Sequence, residues 1–275
     1  MEIQWYPGHM AKAKRQLSEM LPLFDVVVEV CDARIPISSR NPDLDRLLTR
    51  KPRVVVLNKS DLANPNITEE WLKYIRGQGY AAVAVNSRTG QGMADLRATL
   101  RSVRPKNEKI RRTARRVGVV GIPNSGKSTI LNQLVGRSAA QAGDRPGVTR
   151  GKQWVRVGEW EILDTPGLLW PKFEDKHAAL LLAFTGAIRH ELFNEEELAL
   201  ELIAFLKEKC PGCLAQAYSI EEALDHVEVL QEIAKKRGCL KKGGVVDELR
   251  GAKLLWGDFR SGRLGRITLE SPIPS

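Results

Sequence analysis

The feature that most constrains this chain is a glycine-rich stretch at residues 121–128, which reads G-I-P-N-S-G-K-S and matches the phosphate-loop pattern G-x-x-x-x-G-K-[ST]. A β-branched run at residues 116–120 precedes it, and residues 129–135 behind it form a helical pattern that ends at Gly136. A strand, loop and helix in this order aim backbone N–H groups and a helix N-terminus at one point, which makes an anion site. The stretch therefore predicts a nucleotide phosphate site.

Each polar residue type in this loop has a chemical reason to be there. Lys127 adds a positive charge for the β and γ phosphates, and the Ser128 hydroxyl is suited to ligate Mg²⁺. A glycine-rich turn can match the pattern by chance, but the flanking strand and helix argue against that alternative. We expect the nucleotide to be bound in this region by Asn124, Ser125, Gly126, Lys127, Ser128 and Thr129.

A second motif, Asn58-Lys59-Ser60-Asp61, follows a β-branched run at residues 53–57 and has the form N-K-x-D. The Asp61 carboxylate suits a guanine base, because it accepts hydrogen bonds from both N1–H and the exocyclic amine. Adenine lacks that donor pair and would leave a buried carboxylate unpaired. We expect Asn58 to reach the base edge or tie neighbouring loops together, and the stem of Lys59 to lie along the ring face.

Two further segments complete the predicted site. Asn86 and Ser87 end the next strand, where a supporting guanine-binding loop should fall. Asp164 begins D-T-P-G, so we expect its carboxylate to hold Mg²⁺ through water and the Gly167 N–H to sense the γ-phosphate. Residues 164–167 and residues 143–150 are the two candidate switch segments. Thr149 lies in the second of them, and its hydroxyl could bind the Mg²⁺.

The order of these motifs differs from that of an ordinary GTPase, in which the phosphate loop comes first and the guanine loops come last. Here residues 58–61 precede residues 121–128, and residues 164–167 follow both. This order indicates a circular permutation, which is tolerated because domain termini often lie close together. We expect the basic residues 103–115 to connect the two former ends.

The hydrophobic pattern predicts two domains. Alternating strands and helices up to residue 163 favour a mostly parallel sheet with helices on both faces. We expect an α/β, circularly permuted phosphate-loop GTPase domain over residues 1–171, opening with a basic helix over residues 1–22. Residues 172–275 should form a basic, all-α domain.

Capping signals predict the helix boundaries. Thr68 is expected to cap a helix over residues 68–78. Asn194 is expected to cap a helix that begins with three glutamates, residues 195–197. The sequence Ser219-Ile220-Glu221-Glu222 predicts a capping box that opens a helix ending at Gly238.

Composition limits the partners and the compartment. The formal net charge is +10, which favours a polyanion such as nucleic acid, although a basic enzyme without such a partner has the same charge. No apolar run approaches the ~20 residues of a membrane span, and no leader pattern opens the chain, so we expect a cytoplasmic protein. Cys210 and Cys213 have C-x-x-C spacing, which here is more typical of a helix-ending turn with free thiols than of a zinc site.

Taken together, the chain resembles the circularly permuted ribosome-assembly GTPases, and among them the ribosome biogenesis GTPase A family. Besides the permuted motifs, the resemblance rests on Trp5-Tyr6-Pro7-Gly8-His9-Met10, Asp32-Ala33-Arg34 and Asp258-Phe259-Arg260-Ser261-Gly262-Arg263-Leu264-Gly265-Arg266. It implies GTP hydrolysis during late assembly of the large ribosomal subunit. The expected partners are the subunit precursor and its rRNA, and the protein is expected to act as a monomer. The helical domain would then be the one that binds RNA.

The predicted catalytic machinery lacks one part. Ras-like GTPases have a water-orienting Gln directly after the glycine of D-x-x-G, and this chain has Leu168 there. We therefore expect slow intrinsic turnover that the ribosome stimulates. The missing group is expected from His9, which alternatively packs or contacts RNA, from a K⁺ held by Asn124, which resembles the Asn of potassium-dependent GTPases, or from the ribosome.

Two alternatives remain open from the sequence. One is a GTP-gated binding module for another RNA or protein, with little intrinsic hydrolysis. The other is an ATP-using phosphotransferase, against which Asp61 argues.

Overall fold

The computed structural model describes residues 15–48, 51–103, 114–136, 154–164, 176–188 and 193–272. Predictions that concern residues 1–14, 104–113, 137–153 and 165–175 lie outside these ranges. In the described part of the chain the strands are β1 (Val26–Asp32), β2 (Arg53–Asn58), β3 (Ala81–Val85), β4 (Arg115–Gly121), β5 (Val155–Val157) and β6 (Trp160–Asp164). They form one sheet in the order β3-β2-β1-β4-β6-β5, parallel except for the β5–β6 hairpin.

The strand sequences explain why the sheet is parallel and central. All residues of β1 and β2 are buried, as expected for strands that are covered on both faces. Alternate side chains face opposite layers: Val28 and Val56 pack with one cluster, and Cys31 and Leu57 with another. The predicted α/β sheet with helices on both faces is confirmed.

The strand order also explains how the permuted chain closes. The chain enters at β1 in the middle of the sheet, moves outward to β3, and returns through β4 to finish at the opposite edge. Val30 of β1 pairs with both Val56 and Gly121, so the phosphate-loop strand lies beside the entry strand. Arg115, at the start of β4, donates to the Leu100 and Val103 carbonyls at 3.5 and 3.3 Å, which fixes the return to the sheet.

Helices cover the sheet and then form a separate layer. Residues 15–20 are helical and lead into a 3₁₀ turn, Leu21–Leu23. The helices that follow are α1 (Pro42–Leu47), α2 (Pro65–Gly77), α3 (Met93–Ser102), α4 (Lys127–Val135), α5 (Lys176–Thr185), α6 (Glu195–Lys209), α7 (Cys213–Tyr218), α8 (His226–Lys236) and α9 (Glu248–Ser261). The predicted helical C-terminal region is confirmed.

The C-terminal helices share one apolar core with two residues of the nucleotide-site loops. Leu202 of α6, Ile233 of α8 and Leu255 of α9 are fully buried in this core. Ile35, after β1, and Ile122, in the phosphate loop, belong to the same cluster. The division of the chain at residue 171 stays a prediction, but these contacts show that the helical layer packs directly on the site.

Two of the predicted helix starts are wrong. Helix α2 begins at Pro65, because Asn64 caps it by accepting from the Asn66 N–H at 3.0 Å, and proline is favoured in the first turn. Ser219 does not open a helix. It ends α7 in the left-handed region, with φ of 55°.

The capping box that opens α8 lies six positions after Ser219. Asp225 accepts from the Glu228 N–H at 2.8 Å, and the Glu228 carboxylate accepts from the Asp225 N–H at 3.2 Å. Glu222, which the prediction used, accepts instead from the Gly212 and Leu214 N–H groups near the start of α7. The predicted capping box is therefore wrong, because the Glu222 carboxylate is bonded to another helix start.

We expect Asp225→Ala to lower the free energy of unfolding by about 1 kcal/mol, because the N-terminus of α8 loses its cap. Ser219→Ala should change it by less than about 0.5 kcal/mol, since Ser219 caps no helix start. Urea-induced unfolding followed by circular dichroism measures both. A larger loss in Ser219→Ala would contradict the assignment of the cap.

Candidate functional site

The candidate site is a cavity of about 550 Å³ at the carboxyl ends of β1 to β4. Because these strands are parallel, the loops that follow them meet at one edge of the sheet. Ten of the residues predicted from the sequence line this cavity: Asn58, Lys59, Asp61, Asn86, Ser87, Asn124, Gly126, Lys127, Ser128 and Thr129. Ser60 and Ser125 lie between these residues in the same loops.

The cavity also has lining residues that motif reading did not assign to the site. Arg34 belongs to the D-A-R segment, which begins at the last residue of β1. Its position directly after a buried strand could have indicated, from the sequence, that it lies at the edge of the sheet where the site forms. Thr185 ends α5, and Arg260 lies in the last turn of α9. These two come from the helical layer, more than fifty positions from the phosphate loop. Arg260 lies in the segment 258–266 that carries the family resemblance, but that segment was not assigned to the site.

The phosphate loop has the backbone geometry of an anion cradle. Gly126 has φ of +94°, and a Cβ at this position would collide with the side-chain nitrogen of Asn58, so only glycine fits. Helix α4 begins at the next residue, which directs its first N–H groups toward the cavity. The Lys127 ammonium donates to the Ile122 carbonyl at 2.8 Å, so the lysine lies folded over its own loop.

Asn58 connects three loops. It is 1% exposed, its amide nitrogen donates to the Ser125 carbonyl at 2.7 Å, and its amide oxygen accepts from the Ser87 N–H at 3.2 Å. Of the two functions considered for Asn58, the geometry matches the one that ties neighbouring loops together. The supporting loop is closed by Asn86, whose side-chain oxygen accepts from the Arg88 N–H at 3.0 Å.

Lys59 reaches across the cavity wall to a buried carboxylate. It has a left-handed backbone with φ of 58°, and its ammonium donates to Asp32 Oδ2 at 2.9 Å. The Arg34 guanidinium also donates to both oxygens of Asp32, at 2.8 and 3.0 Å. Burial raises the pKa of Asp32, but the charges of Arg34 and Lys59 outweigh it and hold that pKa well below its ordinary range.

Asp61, the last residue of the N-K-x-D loop, lines the cavity beside Lys59. Within the residues that the structure describes, no hydrogen bond or ion pair to this carboxylate is found. A carboxylate that faces a cavity without an internal partner can accept hydrogen bonds from a bound base.

The remaining predicted residues divide into described and undescribed ones. Asp164 ends β6, where its backbone pairs in register with Val119, and nothing is described of its side chain. His9, Thr149 and Gly167 lie outside the described residues. The Asn124 amide nitrogen donates to the Gly186 carbonyl at 2.8 Å, which leaves the amide oxygen as the group for a cation.

The buried Asp32 makes a testable contribution to stability. Replacing it by asparagine leaves Arg34 without its countercharge, so we expect Asp32→Asn to cost about 3 kcal/mol at pH 7. Because the folded pKa is lowered, this contribution is complete above the unfolded value of about 4 and is lost as the pH falls toward the folded pKa. The difference in the free energy of unfolding between the variant and the parent, measured by urea unfolding, should therefore be smaller at pH 3 than at pH 7.

The matched control is Asp95→Asn, which removes an exposed carboxylate from the first turn of α3. Its cost should stay below about 1 kcal/mol at both pH values. A difference for Asp32→Asn that is constant from pH 7 to pH 3 would contradict the ion-pair interpretation.

No helix in the described part of the chain is long and apolar enough to cross a membrane. Cys210 and Cys213 are free thiols; Cys210 caps the end of α6, and Cys213 is the first residue of α7. Burial, followed by the charge of Cys210, raises the pKa of Cys213 to about 12.

Comparison with protein families gives two matches. A model described as a 50S ribosome-binding GTPase matches residues 116–236, and one described as the RsgA GTPase matches residues 46–174. The second range contains the N-K-x-D loop and the phosphate loop in the order found in this chain. The two overlapping matches therefore include every motif from which the site was predicted, apart from His9.

Similar curated proteins extend over the whole chain. Ribosome biogenesis GTPase A of Bacillus cereus is 46% identical, covering 99% of this chain and 95% of the relative. The protein of that name from Thermotoga maritima is 34% identical, with coverages of 98% and 95%. Mitochondrial ribosome-associated GTPase 1 of Mus musculus is 32% identical, with coverages of 98% and 90%.

Two solved structures have the same architecture. The GDP-bound structure of TM YlqF superposes with a TM-score of 0.74 at 29% identity, covering 94% of this chain and 99% of that one. GNP-bound YlqF from T. maritima gives 0.71 at 30% identity, with coverages of 96% and 100%.

Proposed function

The chain belongs to the ribosome biogenesis GTPase A family, and from that premise we propose that this GTPase binds and hydrolyses GTP in the cavity at the carboxyl ends of β1 to β4 during late assembly of the large ribosomal subunit. The observation that carries the proposal is the three-loop junction at Asn58. It holds the N-K-x-D loop, the phosphate loop and the supporting loop around one cavity.

Guanine recognition is assigned to residues 58–61, supported by Asn86 and Ser87. The Asp61 carboxylate accepts from N1–H and the exocyclic amine, and the stem of Lys59 covers one face of the ring. The bond from Lys59 to Asp32 supports this assignment, because it holds that stem extended along the cavity wall. Asn58 acts through its side-chain amide, which holds the neighbouring loops in place, and Ser60 acts through the backbone of its loop.

Phosphate binding is assigned to residues 124–129. The N–H groups at the start of α4 and the charge of Lys127 bind the β and γ phosphates. Lys127 leaves the Ile122 carbonyl for the phosphate when nucleotide enters. Mg²⁺ fits the donor set of Ser128, Thr149 and Asp164, since it prefers hydroxyl, carboxylate and water oxygens. A K⁺ would take the Asn124 amide oxygen, while the amide nitrogen stays on Gly186.

The hydrolytic step is proposed to be slow in the free protein. Leu168 follows Gly167 and has no polar group to orient the attacking water. His9 carries a side chain suited to that task, and a bound K⁺ would add positive charge beside the phosphates. We propose that one of these, or the ribosome itself, completes the site, and that Gly167 senses the γ-phosphate.

The proposed macromolecular partner is rRNA in a precursor of the large subunit, bound by the monomer. The net charge of +10 supports a polyanion. Part of that charge is exposed on one end of the helical layer, where α8 ends and a short turn follows, at Lys235, Lys236, Arg237, Lys241 and Lys242. The alternative, a GTP-gated module for another RNA or protein with little hydrolysis, uses the same surface.

We expect Asp61→Asn to weaken GTP binding about a hundredfold or more, because an amide opposes the guanine N1–H donor with its own N–H. The same variant should gain affinity for xanthosine triphosphate, whose 2-carbonyl accepts from that amide. Titration with fluorescent nucleotides measures both. ATP serves as the control: tight ATP binding by the parent protein would overturn the guanine assignment.

We expect the parent protein to co-sediment with large-subunit particles in the presence of a non-hydrolysable GTP analogue and to be released with GDP. Equal binding to the particles with the GTP analogue and with GDP would contradict a nucleotide-dependent switch. Binding to an unrelated RNA in place of the particles, with no stimulation of hydrolysis by them, would favour the alternative module.

A further inference from the structure

The chain after α9 returns to the nucleotide site. We call residues 264–270 the C-terminal strap; it leaves the helical layer and crosses the N-K-x-D loop. The Arg266 guanidinium donates to the Ser60 carbonyl at 2.8 Å and to the Ala63 carbonyl at 3.0 Å. The Ile267 N–H donates to the Leu62 carbonyl at 2.9 Å. The strap thus bonds to the backbone on both sides of Asp61.

The rest of the strap is anchored on α2 and its N-cap and on the loop after β1. The Thr268 hydroxyl accepts from the Asn64 N–H at 2.9 Å, just beyond the N-K-x-D loop. The Leu269 N–H donates to the Arg34 carbonyl at 2.8 Å, and Trp71 Nε1 donates to the Glu270 carbonyl at 2.9 Å. Since Ile267, Thr268 and Leu269 are buried, the strap has a fixed register over the loop.

The Glu270 carboxylate closes the strap at its far end. It accepts from the Ile37 N–H at 2.7 Å and from the Ser38 N–H at 3.0 Å. These donors lie in the turn after β1, close to Arg34. The strap therefore connects the N-K-x-D loop with the loop after β1, and both line the part of the cavity that is assigned to the guanine base.

Side chains hold the first two residues of the loop beneath the strap, Asn58 through Ser125 and Ser87 and Lys59 through Asp32. Lys59 has a left-handed backbone that non-glycine residues adopt rarely, so the turn needs support from its surroundings. Besides the strap, three backbone bonds outside the strands hold the loop in the described chain: Ala33 N–H to the Asn58 carbonyl at 2.8 Å, Ser60 N–H to the Val85 carbonyl at 3.1 Å and Leu62 N–H to the Lys59 carbonyl at 2.9 Å. None of them involves the Ser60 carbonyl, which belongs to the peptide group that precedes Asp61, or the Leu62 carbonyl, which lies one peptide group beyond it.

We propose that Arg266 is a positioning residue for guanine recognition: through the Ser60 and Ala63 carbonyls it fixes the direction in which Asp61 presents its carboxylate to the base. Arg266 does not line the cavity, so it acts through the loop and not on the nucleotide. The inference rests on the proposed assignment of Asp61. It also makes the docked strap, and with it the end of the helical layer, part of the guanine site.

The test compares Arg266→Met with Arg263→Met. Both remove an arginine from the same short segment, but the Arg263 guanidinium bonds to Asp258 of α9 at 2.6 Å and does not contact the N-K-x-D loop. The probes are GDP and inosine diphosphate, which lacks the 2-amine. Their ratio of affinities therefore reports the bond between Asp61 and that amine.

We expect Arg266→Met to weaken GDP about tenfold and inosine diphosphate only about twofold, so that discrimination between the two falls about fivefold. The KM for GTP should rise with the loss of GDP affinity, because the substitution acts on the loop that binds the base. Arg266→Lys, which can reach one carbonyl at a time, should recover part of the discrimination. Arg263→Met should bind both nucleotides as the parent does.

Two results would overturn the proposal. One is an unchanged ratio of GDP to inosine diphosphate in Arg266→Met; the other is an equal loss in Arg263→Met, which would indicate a general effect of charge or of domain loosening. The Asp61→Asn variant distinguishes a failure of the strap proposal from a failure of the proposed guanine site. If Asp61→Asn loses discrimination and Arg266→Met keeps it, only the strap inference fails; if Asp61→Asn keeps it, the guanine site itself is wrong.

Discussion

The buried amide of Asn58 is the contact on which the nucleotide site depends. It uses both ends of its side chain, donating to Ser125 and accepting from Ser87, so three loops take their positions from one residue. Gly126 has to lack a side chain because this amide occupies the space where a Cβ would lie. An unpaired buried amide costs more than the net gain of one hydrogen bond, so the junction is stable only when all three loops are in place.

In the permuted chain, the helical layer follows the loops of this junction in sequence and contacts two of them. Helix α5 follows β6 and brings Gly186 against Asn124 of the phosphate loop. The last helix then returns the chain to the N-K-x-D loop through Arg266. The helical layer therefore contacts the phosphate side and the base side of one cavity, which a layer attached at a single point does not do.

The sequence predicted what local chemistry determines. Lys127 and Ser128, and Asn58 with Asp61, were found because their functions require fixed spacings after a strand. The α8 cap was misplaced because Glu222 had partners on α7 that spacing alone does not reveal. Arg260 and the strap were not assigned to the site for a similar reason: their partners, such as Phe184 and Ser60, are distant in sequence, and arginines bonded to distant carbonyls leave no periodic pattern.

The contacts of the helical layer also have a thermodynamic consequence. If the docked strap favours the loop geometry that binds guanine, then bound guanine must favour the docked strap by the same free energy, because coupling between two binding equilibria is reciprocal. A partner that draws the helical layer away from Ser60 and Ala63 would thereby weaken nucleotide binding. On the phosphate side, the bond between Asn124 and Gly186 links the layer to the loop that holds the β and γ phosphates. Nucleotide binding and docking of the helical layer are thus expected to respond to each other at both ends of the nucleotide.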